Sequence, residues 1–209
     1  NARLQNLITY PFADCVIVPN CYQAWLPRRH RRYQGYHELS YLAPDYFKPD
    51  RAKAEAAGLA PTGDTFLLRV VSWQANHDIG ETGWSQDLLR QLIDFLQPRG
   101  RVLIASELEL PDEFTRFLYR GPVSDLHHLM AHCRLLVAES ATMASECAVL
   151  GVPAIYAAHT GRGYTDEQER RYGLVRNVTE LKAASMLAVV ADILARDAEH
   201  YRTQARRLL

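Results

Sequence analysis

The sequence has no apolar run long enough to cross a membrane. Its longest nearly apolar stretch, residues 147–158, is interrupted by Gly151 and Pro153, and it falls short of the roughly 20 residues that a spanning helix needs. The amino-terminal residues do not pair a basic segment with an apolar one, so no signal peptide is predicted. The sequence also lacks an initiator Met, and we expect the chain to begin inside a longer protein.

Cysteine and net charge are both scarce. The 4 cysteines form no Cys-x-x-Cys pair, which predicts reduced thiols in a cytoplasmic protein. The 24 basic side chains are balanced by 24 acidic ones, so binding of nucleic acid through bulk positive charge is not expected. The basic cluster at residues 28–32 is a candidate for phosphate contacts, but a solvated turn or an interdomain contact is the favoured interpretation.

The standard sequence fingerprints of dinucleotide, ATP and zinc sites are absent as well. Neither Gly-x-Gly-x-x-Gly nor the phosphate-loop pattern occurs, so neither NAD nor ATP is supported as a cofactor. His128 and His132 have the i, i+4 spacing that can hold zinc on a helix, but the sequence offers no third ligand near them. We therefore predict no metal and no cofactor.

What the sequence does contain, from residue 64 onward, is a regular alternation of short apolar segments and segments of helical spacing. The predicted strands are 65–72, 101–106, 134–138, 153–157 and 174–178, and the predicted helices are 86–97, 111–118, 125–132 with Ser124 as its cap, 142–150, 166–172, and a closing helix from Thr179 to about Leu208. Alternation with short connections predicts an α/β fold, a Rossmann-like doubly wound parallel sheet that binds ligands at the carboxyl ends of its strands.

The chain divides into three regions by composition. Residues 1–20 are expected to be the end of a mostly absent N-terminal domain, and residues 21–63, rich in Pro and Tyr, an interdomain connector. Residues 64–209 are expected to form one complete α/β domain. The elements predicted in the first two regions are a buried strand at 13–19, a short strand near 33–36 and a helix near 51–57.

The most informative segment follows the predicted strand 134–138. Ser140 and Thr142 stand where a helix begins, so their hydroxyls and the first free N–H groups predict an anion site, for which a diphosphate is the natural guest. Glu146 lies about one turn inside that helix, where a carboxylate can accept hydrogen bonds from two adjacent ribose hydroxyls. The alternative is that Ser140 and Thr142 are ordinary caps and that Glu146 complements the helix dipole.

These residues also carry a family resemblance. Ser-x5-Glu followed by Leu-Gly-x-Pro and a strand resembles the nucleotide-sugar motif of GT-B-fold proteins. It is most similar to the C-terminal domain of the non-hydrolysing UDP-N-acetylglucosamine 2-epimerases, and more distantly to the N-acetylglucosaminyltransferase of peptidoglycan synthesis. The segments ESATMASECAVLGVPAIY, TGRGYTDEQERRYGLV, WQANHDIGETG and GYHELSYL resemble domain-of-unknown-function family 354. The resemblance implies the C-terminal half of a GT-B fold, with residues 64–209 as its nucleotide-sugar-binding domain.

The resemblance assigns roles to individual residues. The diphosphate-binding residues would be Ser140, Ala141, Thr142 and Arg162, the ribose-binding residue Glu146, and the base-contacting residues Pro122 and Val123. One departure is that epimerases usually have Ser-Gly-Gly where this chain has Ser140-Ala141-Thr142. Glycine permits closer approach of the backbone to phosphate, so the Thr142 hydroxyl would have to compensate.

A polar loop at residues 73–83 follows the first predicted strand of the domain. His77 resembles the histidine of the epimerase His-Arg-x-Glu-Asn loop, which makes it the candidate catalytic residue, either donating to phosphate or transferring a proton. The alternative is a histidine that only ties the loop down. For Asp166, Glu167 and Glu169 in the later loop and helix, capping and solvation are the favoured roles.

The resemblance implies a GT-B-type glycosyltransferase or a UDP-sugar epimerase-like protein, in which this chain supplies the domain that binds a nucleotide-diphosphate sugar, UDP-linked by resemblance. The alternative is a non-catalytic nucleotide-sugar-binding or assembly module of polysaccharide synthesis. The expected partners are the nucleotide sugar and the missing N-terminal domain, which would hold the acceptor and the catalytic base. A homodimer is a further option that the sequence leaves open, and no nucleic-acid partner is expected.

Overall fold

The fold is built on a five-stranded parallel sheet. The computed structural model describes residues 2–72, 83–161 and 163–209. The strands of the sheet are β3 (Asp64–Val70), β4 (Gly100–Ser106), β5 (Leu135–Ala138), β6 (Ala154–Ala157) and β7 (Val175–Val178). They lie in the order β4-β3-β5-β6-β7, all parallel, and every residue of β5 and β6 is buried. The predicted doubly wound α/β sheet is thereby confirmed.

Helices connect and flank these strands. Their bounds are α1 Ala2–Thr9, α2 Leu39–Leu42, α3 Arg51–Ala56, α4 Gln86–Leu96, α5 Leu126–Met130, α6 Ala141–Leu150, α7 Gly163–Glu167, α8 Ala183–Leu194 and α9 Ala198–Ala205. Short 3-10 turns occupy Tyr10–Phe12, Gln97–Arg99, Asp112–Phe117 and Val123–Asp125, and a π-helical turn, Gln168–Tyr172, continues α7. In the described parts of the chain, no helix combines the length and the apolar character that a membrane crossing requires.

The helix that follows β5 is enclosed by the rest of the domain. Residues 143–149 of α6 are all buried, and the helix packs against β5, β6, α2 and α9. Gly151 ends α6 with φ 79°, a left-handed conformation that favours glycine. Pro153 then precedes β6, so the Leu-Gly-x-Pro motif turns a buried helix directly into a buried strand.

A two-stranded parallel sheet lies near the amino terminus. β1 (Val16–Pro19) pairs with β2 (His30–Tyr33), so part of the basic cluster belongs to a strand. Arg32 donates from Nη1 to the carbonyl oxygens of Asn20 and Tyr22 at 3.1 and 2.8 Å. This arginine therefore ties down the turn that follows β1.

The connector contributes to the same hydrophobic core as the sheet. Tyr36, Leu42 and Leu59 are buried and belong to one cluster with Phe66 of β3. Residues 21–63 thus pack on the α/β domain through apolar as well as polar contacts.

Several local predictions are wrong at the level of boundaries and exposure. The predicted buried strand at 13–19 is shorter, and Ile17 within it is exposed. The strand expected near 33–36 is β2, at His30–Tyr33. The closing helix is divided into α8 and α9, because Asp197 accepts a hydrogen bond from the N–H of Glu199 and caps a new helix.

Two capping predictions are also wrong. Ser124 lies inside a 3-10 turn that precedes α5, with its hydroxyl 3.4 Å from an oxygen of Asp125, and it makes no capping bond to α5. The helix expected at 166–172 begins at Gly163, which places Asp166 inside the helix instead of at its cap.

Candidate functional site

The strand order reverses between β3 and β5, and in open α/β sheets such a switch point forms a crevice. From β3 the chain continues to β4, on one side of this strand pair, and from β5 it continues to β6, on the other side. In open α/β sheets, ligands bind at such a switch point, beyond the carboxyl ends of the strands. Glu139 and Ser140 follow β5 at this edge, and Val71 follows β3.

The amino terminus of α6 opens into this edge. The Ser140 hydroxyl accepts a hydrogen bond from the N–H of Met143 at 3.3 Å and caps the helix. Thr142 is exposed in the first turn, whereas Ala141 is buried. The remaining N–H groups of a first turn have no partner inside the helix, and the helix dipole adds positive potential there. Ser140 therefore acts as the ordinary cap that the sequence offered as an alternative, and the turn still has donors for an anion.

Glu146 lies one turn further along α6, and its residue surface is only 7% exposed. Its Oε1 accepts a hydrogen bond from the hydroxyl of Tyr41 at 2.9 Å, and Nε2 of His127 lies 3.0 Å from the same oxygen. Burial, followed by the charge of Glu146, raises the pKa of Tyr41, so this hydroxyl stays protonated and donates. Oε2 of Glu146 takes part in neither bond.

The predicted base-contacting residues lead into the helix that carries His127. Pro122 accepts a hydrogen bond on its carbonyl oxygen from the hydroxyl of Tyr119 at 2.6 Å, and Val123 is 85% exposed. The 3-10 turn that starts at Val123 runs directly into α5. Because His127 pairs with Glu146, the segment proposed to meet the base is joined to the residue proposed to meet the ribose.

Aromatic side chains of the connector hold α5 in place. The ring of Phe47 stacks on His128, with centroids 4.9 Å apart, and Tyr41 and Phe47 contact His127 at centroid distances of 5.8 and 6.1 Å. Nδ1 of His128 also accepts a hydrogen bond from the N–H of Asp50 at 3.1 Å. The two adjacent histidines of α5 are thus fastened to the connector.

A buried polar chain beside Glu146 was not recognised from the sequence. This chain consists of Glu38, Ser145 and Gln168, which are all buried. Gln168 donates from Nε2 to the hydroxyl of Ser145 at 2.8 Å. Burial raises the pKa of Glu38, while a hydrogen bond with Ser145 opposes that shift. The sequence signal for this chain is a Ser at a buried position of α6 and a Glu inside the GYHELSYL segment. Because a buried polar group needs a hydrogen-bond partner, each of them indicates a contact.

The acidic residues of the later loop have specific partners. Glu167 accepts a hydrogen bond from the hydroxyl of Tyr36 at 3.0 Å, and Glu169 accepts from the main-chain and side-chain N–H groups of Asn177 at 3.1 and 2.6 Å. Both residues therefore link α7 and its π-helical extension to the rest of the chain, which goes beyond the solvation role expected for them.

Glu139 spans the carboxyl ends of β3 and β5. Its two carboxylate oxygens accept hydrogen bonds from the N–H groups of Val71 at 2.8 Å and Trp84 at 2.6 Å. These two residues lie on either side of residues 73–82, and Trp84 also donates from its indole to the carbonyl of Ala157 at 3.1 Å. His77 and Arg162, the candidate catalytic residue and the candidate diphosphate-binding cation, lie outside the described residues.

The fold is a Rossmann-like α/β domain of the kind found in GT-B proteins. Similar structures include the UDP-GlcNAc 2-epimerase from Neisseria meningitidis bound to UDP-GlcNAc (TM-score 0.52, 11% identity, covering 80% of this chain and 46% of that one). Another is CalG4, the calicheamicin glycosyltransferase (0.50, 15%, 88% and 44%), and a third is the wall teichoic acid polymerase TagF (0.50, 12%, 82% and 42%). At these identities the likeness establishes the fold alone. This chain spans less than half the length of each of these proteins.

Sequence comparison identifies the family. The family described as "Protein of unknown function (DUF354)" matches residues 1–180, and the chain belongs to it. This match confirms the resemblance predicted from the motifs. No curated protein matches the sequence.

Proposed function

We propose that this chain is the nucleotide-diphosphate-sugar-binding domain of a GT-B-type glycosyltransferase or UDP-sugar epimerase-like enzyme. The observation that supports this most directly is the arrangement along α6. The first turn, in which Thr142 is exposed, lies at the switch point, and Glu146, one turn further on, is joined through His127 to the segment that begins at Pro122. Diphosphate, ribose and base follow one another in the same order in a nucleotide sugar.

The chemistry of this arrangement suits a departing diphosphate. Donors fixed at a helix amino terminus stabilise negative charge without reorganising when it develops. Arg162 and His77 are included in the proposal on sequence grounds, as a cation and a donor for the same charge. The UDP-GlcNAc that occupies the Neisseria epimerase supports UDP-linked sugars as the first ligands to test.

We propose further that the amino-terminal region packs against the rest of a GT-B protein. Six large apolar side chains that this region exposes are Leu4, Leu7, Ile8, Phe12, Ile17 and Trp25. A two-stranded parallel pair such as β1–β2 is seldom stable without further strands. In the complete protein, a covering domain would also supply the acceptor site.

The 4 free cysteines fit a reducing compartment such as the cytoplasm.

Calorimetric titration with UDP, UDP-GlcNAc and NAD tests the proposal. We expect UDP and UDP-GlcNAc to bind and NAD not to bind, and we expect Glu146→Gln to weaken UDP binding by about tenfold, the loss of one charge-assisted hydrogen bond. Glu113→Gln is the matched control, because the Glu113 carboxylate is exposed and pairs with Arg90 away from α6. Absence of UDP binding, or equal affinity in Glu146→Gln and the control, would overturn the proposal.

An enzyme and a non-catalytic module differ in turnover. Release of UDP from UDP-GlcNAc by the full-length protein, with and without candidate acceptors, separates them. We expect release by the enzyme, whereas binding without any release favours an assembly module.

A further inference from the structure

The geometry points to Tyr41, in the connector, as a positioning residue of the ribose site, acting with His127 to hold Oε1 of Glu146 so that Oε2 meets the ribose diol. This inference rests on the proposed function, because it assumes that Glu146 binds ribose. It assigns a ligand-binding task to a segment that precedes the α/β domain in the sequence.

Two hydrogen bonds, from residues far apart in the sequence, hold Oε1 of Glu146. Tyr41 lies on α2 of the connector and His127 lies on α5, and their donors reach the same oxygen at 2.9 and 3.0 Å. A carboxylate that is nearly buried needs hydrogen-bond donors in place of the water that it has lost. With one oxygen held twice, the rotation of the group is restricted and the other oxygen keeps its full accepting capacity.

Tyr41 is itself well held. Its ring contacts His127 at 5.8 Å and His37 at 6.1 Å between centroids, and the next residue, Leu42, is buried in the core. A side chain packed in this way loses little further entropy when the ligand binds, which is the benefit of preorganisation.

The opposite role for the same contact is that the Tyr41 hydroxyl blocks the ribose site. If the Tyr41 hydroxyl occupied the place of a ribose hydroxyl, UDP would have to displace it, and removal of the hydroxyl would tighten binding. The two roles therefore predict changes of opposite sign for Tyr41→Phe.

Titration with UDP and with 2′-deoxy-UDP tests the inference. In the wild-type chain we expect UDP to bind about tenfold more tightly than 2′-deoxy-UDP, because the carboxylate loses a ribose partner. In Tyr41→Phe we expect UDP affinity to fall about five- to tenfold and 2′-deoxy-UDP affinity to change less than twofold, so that discrimination is lost. His127→Ala should show the same loss and provides a second variant if Tyr41→Phe does not fold.

Tyr36→Phe is the matched control. It removes one hydroxyl from the same GYHELSYL segment, but that hydroxyl bonds to Glu167, so discrimination between the two nucleotides should stay at the wild-type value. Unchanged discrimination in Tyr41→Phe and His127→Ala, or tighter UDP binding in Tyr41→Phe, would overturn the inference while leaving the proposed function intact. If the wild-type chain binds neither nucleotide, the proposed function fails and the inference fails with it.

Discussion

The bridge made by Glu139 offers a sharp test of how the crevice is held together. Glu139 is buried, with 2% of its residue surface exposed, and its two carboxylate oxygens accept hydrogen bonds from the backbone N–H groups of Val71 and Trp84. Glu139→Gln keeps the shape of the side chain but replaces one accepting oxygen with an NH2 group. One of the two backbone donors therefore loses its acceptor.

The cost of Glu139→Gln can be estimated from these two bonds. An unsatisfied N–H costs about 1–3 kcal/mol, and the remaining bond weakens by about 1 kcal/mol when its acceptor becomes neutral. The free energy of unfolding should therefore fall by about 2–4 kcal/mol. For a chain of this size, that loss lowers the melting temperature by roughly 4–16 °C.

Urea unfolding measures this change. Unfolding is followed by circular dichroism and by tryptophan fluorescence, to which Trp84, whose N–H bonds to Glu139, contributes. Glu113→Gln is the control, because its carboxylate is 46% exposed and pairs with Arg90 at 2.7 Å, and exposed pairs contribute about 0–1 kcal/mol. If the two variants unfold with free energies within about 0.5 kcal/mol of each other, the assigned role of Glu139 is wrong.

Two further predictions concern buried titratable groups. Burial, together with the charge of Glu146, raises the pKa of Glu38, so the folded state holds this proton more tightly than the unfolded chain does. The stability that Glu38 contributes should therefore fall as the pH rises from about 4.3, the pKa of the unfolded chain, through the raised pKa of the folded state. In a series of urea-unfolding measurements at different pH, Glu38→Gln should flatten the dependence of the unfolding free energy on pH over this range. An unchanged slope would contradict the assignment. Burial also raises the pKa of Cys133 to about 12 and that of Cys147 well above its usual value, whereas Cys15 is exposed. Iodoacetamide at pH 8 should alkylate Cys15 in the native protein and reach the other two only after unfolding, as read by peptide mass spectrometry; rapid native labelling of either would refute this.

The sheet could be predicted from the sequence because its signal is local. The segment 65–72 is apolar and rich in β-branched residues, and β3 lies within one or two residues of it. The start of α6 could be predicted for the same reason, since Ser140 caps the helix within three residues of its own position. Such signals depend only on neighbours along the chain.

The contacts that shape the candidate site could not be predicted, because their partners are distant in sequence. Hydrophobic spacing shows that a residue such as Ser145 is buried but does not show that Gln168 is its partner. The bond between Tyr41 and Glu146 joins residues 105 positions apart, and a single sequence contains no information on which pairs meet. The contact of Tyr41 with Glu146 therefore has no local signal, although the segment GYHELSYL carries the family resemblance.

That separation has a consequence for how the protein is made. Tyr36 and Tyr41 bond to groups 131 and 105 residues further along the chain. At ribosomal rates of about 5–20 residues per second, Tyr41 waits roughly 5–20 s before its partner is synthesised. During that time α2, which carries Leu42, lacks its contacts with α6. We therefore expect the bond between Tyr41 and Glu146, and the packing of α2 on α6, to form only after α6 has been synthesised.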